Sequence, residues 1–290
     1  SVVIPNRDSF ALVSRVLEDL ERRTDYPDLE TIVVALGATD PRVLELYEAR
    51  AGRPDFRAEV RPAPFNFAAM ANRGATLARG DAVLLLNNDV SVIEPGWLAE
   101  MVECLAYPGT GIVGARLLFP DRRLQHAGVV LGAGGLAGHW CYRAAEDDPG
   151  PMGRLGLRNA MSAVTGACML VTRACWENLG GMDAERFAVA YNDVDLCARA
   201  REAGYTVAWT PFATLFHHES ASRGSDLVGE KARRFQREKE ALAARHGTRS
   251  FSDPAMSPWH ARYQAFPRLV LPERLPESRS FLGMPWPEAG

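Results

Sequence analysis

The chain has 290 residues, 47% hydrophobic and 24% charged, with a net charge of −3; this is a globular composition, long enough for one large domain or two small ones. The charge gives no basic footprint for nucleic acid, so no nucleic-acid partner is expected, and no apolar stretch approaches the ~20 residues that span a bilayer. Cys104, Cys141, Cys168, Cys175 and Cys197 are odd in number and form no C-x-x-C pair, which points to reduced core thiols in a cytoplasmic protein and away from a disulfide frame or zinc site.

No basic-then-apolar leader is present, so nothing reads as secreted; the sequence opens inside a strand-like run, Ser1-Val2-Val3-Ile4, so residues upstream are expected. Residues 2–4 read as a strand ended by Pro5. Asp8-Ser9 can cap a helix with Phe10, Val13, Leu17 and Leu20 on its apolar face. Residues 31–36 read as a second buried strand. Asp40-Pro41 is an N-cap with proline at the first helical position, opening a helix to about Arg50. A third strand is expected at 56–61 and a helix at 66–79, with Gly80 placed to end it. Ala82–Leu86 is a short, wholly apolar run, the pattern of a strand buried on both faces. Strands separated by helices of this length predict βαβ units and a mostly parallel sheet.

A helix is expected at 95–106 and a strand at 111–119. Residues 120–160 are rich in Gly, Arg and aromatics and weakly periodic, as a functional loop region is. A strand at 167–172, a helix at 173–179 ended by Gly180-Gly181, a helix at 193–203 and strands at 205–209 and 214–216 follow. Residues 227–246 read as a mixed-sign helix with a thin apolar stripe (Leu227, Phe235, Leu242), on which Lys231, Arg233 and Arg234 form a solvated face. Prolines recur from 253 to 287, the composition of an extended or disordered tail. The expected organisation is an α/β domain over 1–225, then a C-terminal helix and extended Pro-rich tail over 226–290, packed on or flanking that domain.

Three clusters suggest chemistry. Asn87-Asn88-Asp89 directly follows the buried run, and in open α/β sheets ligands bind beyond the carboxyl ends of strands. Asp89 is there a hard oxygen ligand for a metal-bound diphosphate; the plain alternative is a turn. Asn192-Asp193-Val194-Asp195 opens a helix, where acids also simply complement the dipole. His217-His218 end a strand, as metal ligands or as polar surface. Together they form the inventory of a divalent ion on a diphosphate with a free carboxylate as base.

With these residues the chain resembles the family-two glycosyltransferases of the GT-A fold, inverting enzymes of bacterial polysaccharide synthesis. Ser1-Val2-Val3-Ile4-Pro5, Asn66 through Gly74, Gly80-Asp81, Asn87-Asn88-Asp89, Thr165-Gly166-Ala167, Gly180-Gly181-Met182-Asp183, Asn192 through Cys197 and His217 through Gly224 carry the resemblance in order. The stretch from Tyr191 to Gly224 most resembles enzymes of O-antigen and rhamnose-containing glycans. The resemblance implies a GT-A (Rossmann-like), mostly parallel sheet flanked by helices. It implies a sugar donor linked to UDP or dTDP, Mg²⁺ or Mn²⁺, and a glycan or lipid-linked acceptor. Asp193 is then the general base, and Asp89 and His217 hold the metal, with His217 preferred to His218. Pro5, Asn6, Asp40, Asn72, Asn87 and Asn88 fall to the donor, and Asp195, Trp140, Thr165 and Gly166 to the acceptor, with Tyr142 beside Trp140. Ser220 through Gly224 would close over the donor. Peripheral membrane contact and a place in a larger multi-domain transferase fit the same picture.

The pattern departs at Ala35-Leu36, where the family carries an acid that helps hold the nucleotide, and this favours a rival: a non-catalytic scaffold or sugar-binding domain. A Rossmann oxidoreductase is suggested by Gly132-Ala133-Gly134-Gly135-Leu136-Ala137, but no amphipathic helix follows. A sugar nucleotidyltransferase lacks its glycine-rich loop at Pro5-Asn6-Arg7-Asp8. His126, His139, His246 and His260 are assigned to structure or surface.

Overall fold

The computed structural model describes residues 1–218, 229–257, 259–261 and 267–269. The expected donor-closing segment, 220–224, and most of the Pro-rich tail lie outside the described residues. Along the chain β1 (Val2–Asn6), α1 (Phe10–Arg22), β2 (Thr31–Leu36), α2 (Pro41–Glu48), β3 (Phe56–Arg61), α3 (Phe67–Leu77) and β4 (Ala82–Leu86) alternate as expected. They are followed by β5 (Val90–Val92), α4 (Trp97–Leu105), β6 (Thr110–Leu118), β7 (Leu124–His126), β8 (Val129–Leu131), β9 (Ala137–His139) and β10 (Asn159–Ala160). The order ends with β11 (Cys168–Thr172), α5 (Arg173–Leu179), α6 (Asn192–Glu202), β12 (Thr206–His217) and α7 (Gly229–His246).

Ten strands form one sheet in the order β10-β12-β6-β11-β4-β1-β2-β3, with β5 added to β12 and β7 to β6. The β3-β2-β1-β4 half is parallel, β11 runs against both β4 and β6, and β12 is parallel to β6. The order turns at β1, which has β2 on one side and β4 on the other. The crevice beyond the carboxyl ends of those strands is therefore the expected ligand site.

The apolar runs are explained by burial on both faces. Val2 and Ile4 of β1 and Leu84 and Leu86 of β4 pack with Val13 and Leu17 of α1, Tyr47 of α2 and Trp97 and Met101 of α4. Val3, Val83 and Leu85 point the other way, to Met70 of α3, Trp176 of α5 and Leu196 of α6. Side chains alternate along a strand, so a central strand covered on both sides has no position for a polar residue. At Gly74 of α3 a Cβ would stand 2.2 Å from Val3 Cγ1, so the missing side chain lets α3 seat on β1.

Some expectations change. α3 ends at Leu77 with an extended Ala78, and Gly80 does not close it; a Cβ at Gly80 would instead meet Ser1 at 2.9 Å. The stretch 120–160 is not one irregular loop, because β7 joins the main sheet and β8 and β9 form a hairpin. Gly132–Gly135 is that hairpin's turn, with positive φ at Gly132, Gly134 and Gly135, which removes the dinucleotide reading. The two strands expected near 205–216 are one strand, β12, bulged between Thr210 and Thr214. All five cysteines are free and buried, and no helix among the described residues is long and apolar enough to cross a membrane.

Leu85 is fully buried in the central strand. Leu85→Ala is expected to lower stability by about 2–5 kcal/mol, read as a shift in the denaturation midpoint at unchanged m-value.

Candidate active site

A cavity of about 730 Å³ opens over the carboxyl ends of β1 and β4. Its walls include Pro5 through Ser9, Phe65, Phe67, Asn87 through Asp89, Thr165 through Ala167, Asp193 and His217. The register of β5 on β12 sets its centre: Val90 pairs with His217, so the residue before Val90, Asp89, lies against the end of β12. His217 Nε2 is 3.1 Å from Asp89 Oδ1 and 3.4 Å from Asn87 Nδ2. On the other side of the ring, Nδ1 donates to Gln125 Oε1 at 2.7 Å. In a neutral ring that assignment leaves Nε2 an acceptor facing a carboxylate oxygen. Two acceptors that close require a proton or a cation between them. His218, one residue on, turns away to Ser91 Oγ at 2.9 Å, and its amide donates to the carbonyl of Asp89.

Asn6 and Asn88 form a buried strut behind this pair. Asn88 Nδ2 donates to Asn6 Oδ1 at 2.6 Å, and Asn6 Nδ2 donates to Tyr47 Oη at 2.6 Å. Burial raises the Tyr47 phenol's pKa and keeps it neutral, so the ends of β1, α2 and β4 are tied by neutral hydrogen bonds.

The base candidate comes from the far wall. The Asn87 amide donates to Ala167 O where β4 meets β11, which places Thr165 and Gly166 beside the triplet. The Gly166 amide then donates to Asp193 Oδ2 at 2.8 Å, and Asp193 Oδ1 accepts from the Val194 amide at 2.8 Å. Each carboxylate oxygen is aimed by one backbone donor while the residue stays partly exposed to the cavity. Tyr191, just before it, holds the left-handed conformation at φ 61°.

Four expected site residues lie elsewhere. Asp40 caps α2, accepting from the Arg42 amide and pairing with its guanidinium at 2.7 Å, so its carboxylate is committed to the helix. Asn72 grips Met182 through both amide atoms at 2.8 Å, pinning the Gly181 turn. Trp140 is 1% exposed beneath Arg154, 4.6 Å from its ring, and has no face for a sugar. Asp195 is 0% exposed, held by Arg199 at 2.9 Å, His246 at 2.9 Å and Arg245 at 3.2 Å. Two helical positions after Asp193, it points inward where Asp193 points out.

Residues read as structure or surface also line the cavity: His139, Lys231 and Arg234. His126 is fully buried, its Nε2 accepting from the Thr165 amide at 3.3 Å and its Nδ1 lying 2.9 Å from His139 Nδ1. Burial, then His139 and His217, push its pKa well below 6.5. No local pattern marked it, because its importance lies in β7's pairing with β6.

The family whose sequence model is described as "Glycosyltransferase like family 2" matches residues 1–250. The chain belongs to this family. It is 43% identical over 259 residues to an uncharacterized protein, y4gI, of Sinorhizobium fredii, covering 89% of this chain and 28% of that protein. It is 38% identical over 231 residues to the O-antigen biosynthesis protein RfbC of Myxococcus xanthus, covering 79% of this chain and 18% of that one. The chain thus spans under a third of these relatives' lengths. A mannosyltransferase from Pyrobaculum calidifontis, solved with GDP-Man and Mn²⁺, superposes with a TM-score of 0.60 at 19% identity, over 88% of this chain and 65% of that one. The fold of this glycosyltransferase domain is GT-A.

Two outcomes separate structure from chemistry here. Removing the buried Asp195 carboxylate takes a partner from Arg199 and His246, while Arg199 keeps the Leu179 and Gly181 carbonyls and Arg245 keeps Asp183, so Asp195→Ala is expected to cost about 1–3 kcal/mol of stability, measured by chemical denaturation. His126 is depressed in the fold, so between its folded pKa and 6.5 the unfolded chain binds more protons. Stability therefore rises with pH up to about 6.5 and is lost as pH falls. His126→Gln should flatten that acid limb in denaturation curves taken downward from about pH 6.5, the ordinary histidine value; an unchanged slope would remove His126 as its source.

Proposed function

We propose that this domain transfers a sugar, with inversion, from a nucleoside-diphosphate sugar to a hydroxyl of a glycan or lipid-linked acceptor. The observation that supports it most is the convergence of the Asp89–His217 pair and the Asp193 carboxylate on one cavity. Asp89 and His217 would hold Mg²⁺ or Mn²⁺. Their facing oxygen and nitrogen, 3.1 Å apart, are atom types that such an ion would take as ligands. The Gln125 bond to Nδ1 orients the ring as metal-binding histidines require. Among the described residues no cluster of three or more His, Cys, Asp or Glu could hold an ion, so the donor's diphosphate and water would complete the shell. When bound, the ion neutralises charge on the departing diphosphate.

The chain's own residues supply the rest. Asp193 accepts the acceptor hydroxyl's proton as that oxygen bonds to the anomeric carbon. The carbon–oxygen bond to the diphosphate breaks on the opposite face, its electron pair leaving with the nucleotide, and the configuration inverts. The Gly166 and Val194 amides fix both oxygens of the base, so no reorientation is needed at the moment of transfer. Thr165 and Gly166 flank the acceptor, and Pro5, Asn6, Asn87 and Asn88 support the donor loop. Membrane contact and a role as one module of a longer transferase belong to the same proposal.

One observation favours a non-catalytic scaffold: Ala35, at the family's acidic position, is 0% exposed in an apolar cluster. Calorimetric titration with UDP, dTDP and GDP, with Mn²⁺ and then with EDTA, decides between them. Metal-dependent binding of one nucleotide supports the transferase and gives its donor class; binding of none by folded protein supports the scaffold. Asp193→Asn is expected to keep nucleotide affinity and lower transfer about 10²–10⁴-fold, whereas Asp89→Ala or His217→Ala weakens the Mn²⁺-dependent binding itself. Normal turnover in Asp193→Asn would remove it as the base.

A further inference from the structure

The Thr165–Gly166 turn that aims Asp193 is held from behind by two histidines. The β8–β9 hairpin brings them to it. Val129 pairs with His139 in that hairpin, and on its other edge it exchanges amide hydrogen bonds with Ala163 at 2.7 and 3.1 Å. His126, at the end of β7, is 0% exposed and lies edge-on to His139, with ring centroids 5.1 Å apart at 86°. Its Nε2 accepts from the Thr165 amide at 3.3 Å, and its Nδ1 is 2.9 Å from His139 Nδ1. The next amide, that of Gly166, donates to Asp193 Oδ2. The turn also lies directly against its target: a Cβ at Gly166 would stand 3.4 Å from Asp193 Cβ and 3.7 Å from Phe67 Cε1. A displacement of Thr165 therefore reaches the carboxylate with little to absorb it.

These contacts fix which ring nitrogens carry protons. A backbone amide can only donate, so His126 Nε2 is unprotonated. Burial keeps that ring neutral, and a neutral imidazole with Nε2 unprotonated carries its proton on Nδ1. Nδ1 then donates to His139 Nδ1, which makes the latter an acceptor and leaves the His139 proton on Nε2. The reverse arrangement, with His139 Nδ1 donating, would place a proton on His126 Nε2 against the Thr165 N–H inside a fully buried site, where an unmatched donor is costly. One buried ring thus reads a backbone donor on one side and sets the tautomer of a cavity residue on the other.

We propose that His126 is a positioning residue for the Asp193 carboxylate, acting through the Thr165–Gly166 turn, and that it makes His139 a hydrogen-bond donor and not a second base. His139 lines the same cavity as Asp193. A neutral imidazole with an unprotonated Nε2 would be a competing base there, and the tautomer set by His126 removes that competition. The role of Asp193 as base rests on the transferase reading; the tautomers and the hold on the turn do not.

The test uses the full chain, with His126→Leu, which removes the acceptor, and His126→Gln, whose side-chain oxygen can replace it. Long-range proton–nitrogen NMR of the wild type at neutral pH is expected to show His126 protonated on Nδ1 alone and His139 on Nε2 alone. Either ring in the opposite tautomer overturns the proposal, and this reading stands even where His126→Leu fails to fold. In folded His126→Leu the Gly166 amide resonance should move and its exchange with solvent quicken, and His126→Gln should reverse both. For transfer, His126→Leu should lower kcat about 10- to 100-fold, the effect of a small misplacement of a catalytic group, with nucleotide affinity and KM unchanged, and His126→Gln should recover most of it. An unmoved Gly166 amide in His126→Leu, or equal losses in both variants, overturns the positioning role. If the wild type transfers no sugar, the transferase reading fails, yet the tautomers and the Gly166 amide still decide on the hydrogen-bonded chain.

Discussion

The pairing of β5 with β12 is the constraint on which the site depends. β5 is three residues long, yet its register fixes what meets what: Leu215 opposite Val92, Phe216 opposite Ser91, His217 opposite Val90. Side chains alternate along a strand, so a slip of one residue would exchange the faces of His217 and His218. His218 would then face the cavity and His217 would meet Ser91. The apolar partners Val90, Val92 and Leu215 are buried in one cluster, so the slip would also expose core residues. Packing of ordinary hydrophobic side chains therefore holds a polar pair 3.1 Å apart, without the pair itself having to supply the energy.

The elements from β1 to β4 were legible because their periodicities are strong and local signals agree: Asn66 and Asp40 both cap helices as their positions imply. That Asp89, Asp193 and His217 share one cavity was legible because each follows a strand or opens a helix at the same end of the sheet. Asp195 was misplaced for want of an angle. Two positions along a helix turn the side chain by about 200°, and the sequence does not say which of the two acids faces the core. Trp140 sits in a run where Cys141 and Arg143 take positive φ, and conformations of that kind have no residue signature when glycine is absent. α7 was legible as a helix with Phe235 and Leu242 on its apolar stripe, but the docking of Glu238 on two amides is a tertiary fact that no local pattern encodes.

The β1 wall of the cavity is held by a carboxylate that reaches across to the loop after β2. Ala35 leaves the carboxyl end of β2 without an acid. Asp8, at the end of β1, crosses to the loop after β2 and accepts from the Thr39 and Asp40 amides at 2.6 and 2.8 Å. The Asp40 amide first, with Thr39 and Arg7, holds its carboxyl below the usual carboxylate range. The notional helix cap at Asp8-Ser9 is thus a loop tie: Ser9 makes no side-chain cap to α1. The wall from Pro5 to Ser9 gains from this tie the fixed geometry that a nucleotide contact needs.

The Asp193 wall of the cavity depends on strain that a neighbouring helix supports. Tyr191 takes φ 61° and ψ 5° immediately before α6, a conformation that costs a non-glycine residue about 1–2 kcal/mol. The turn sends Asn192 inward, where its amide donates to Val189 O at 3.0 Å, and leaves Asp193 facing the cavity. Beyond that Asn192 bond, α7 supports the turn: Phe235 stacks on the Tyr191 ring, and Glu238 accepts the Val189 and Ala190 amides. Burial, with Asp193 and Glu238 nearby, raises the Tyr191 phenol to about 12, so a neutral ring lies under the stack. The helix that brings Lys231 and Arg234 to the cavity is therefore the same one that holds the candidate base in position. A loss of its docking would move both together, which couples the orientation of Asp193 to the placement of Lys231 and Arg234 on the cavity wall.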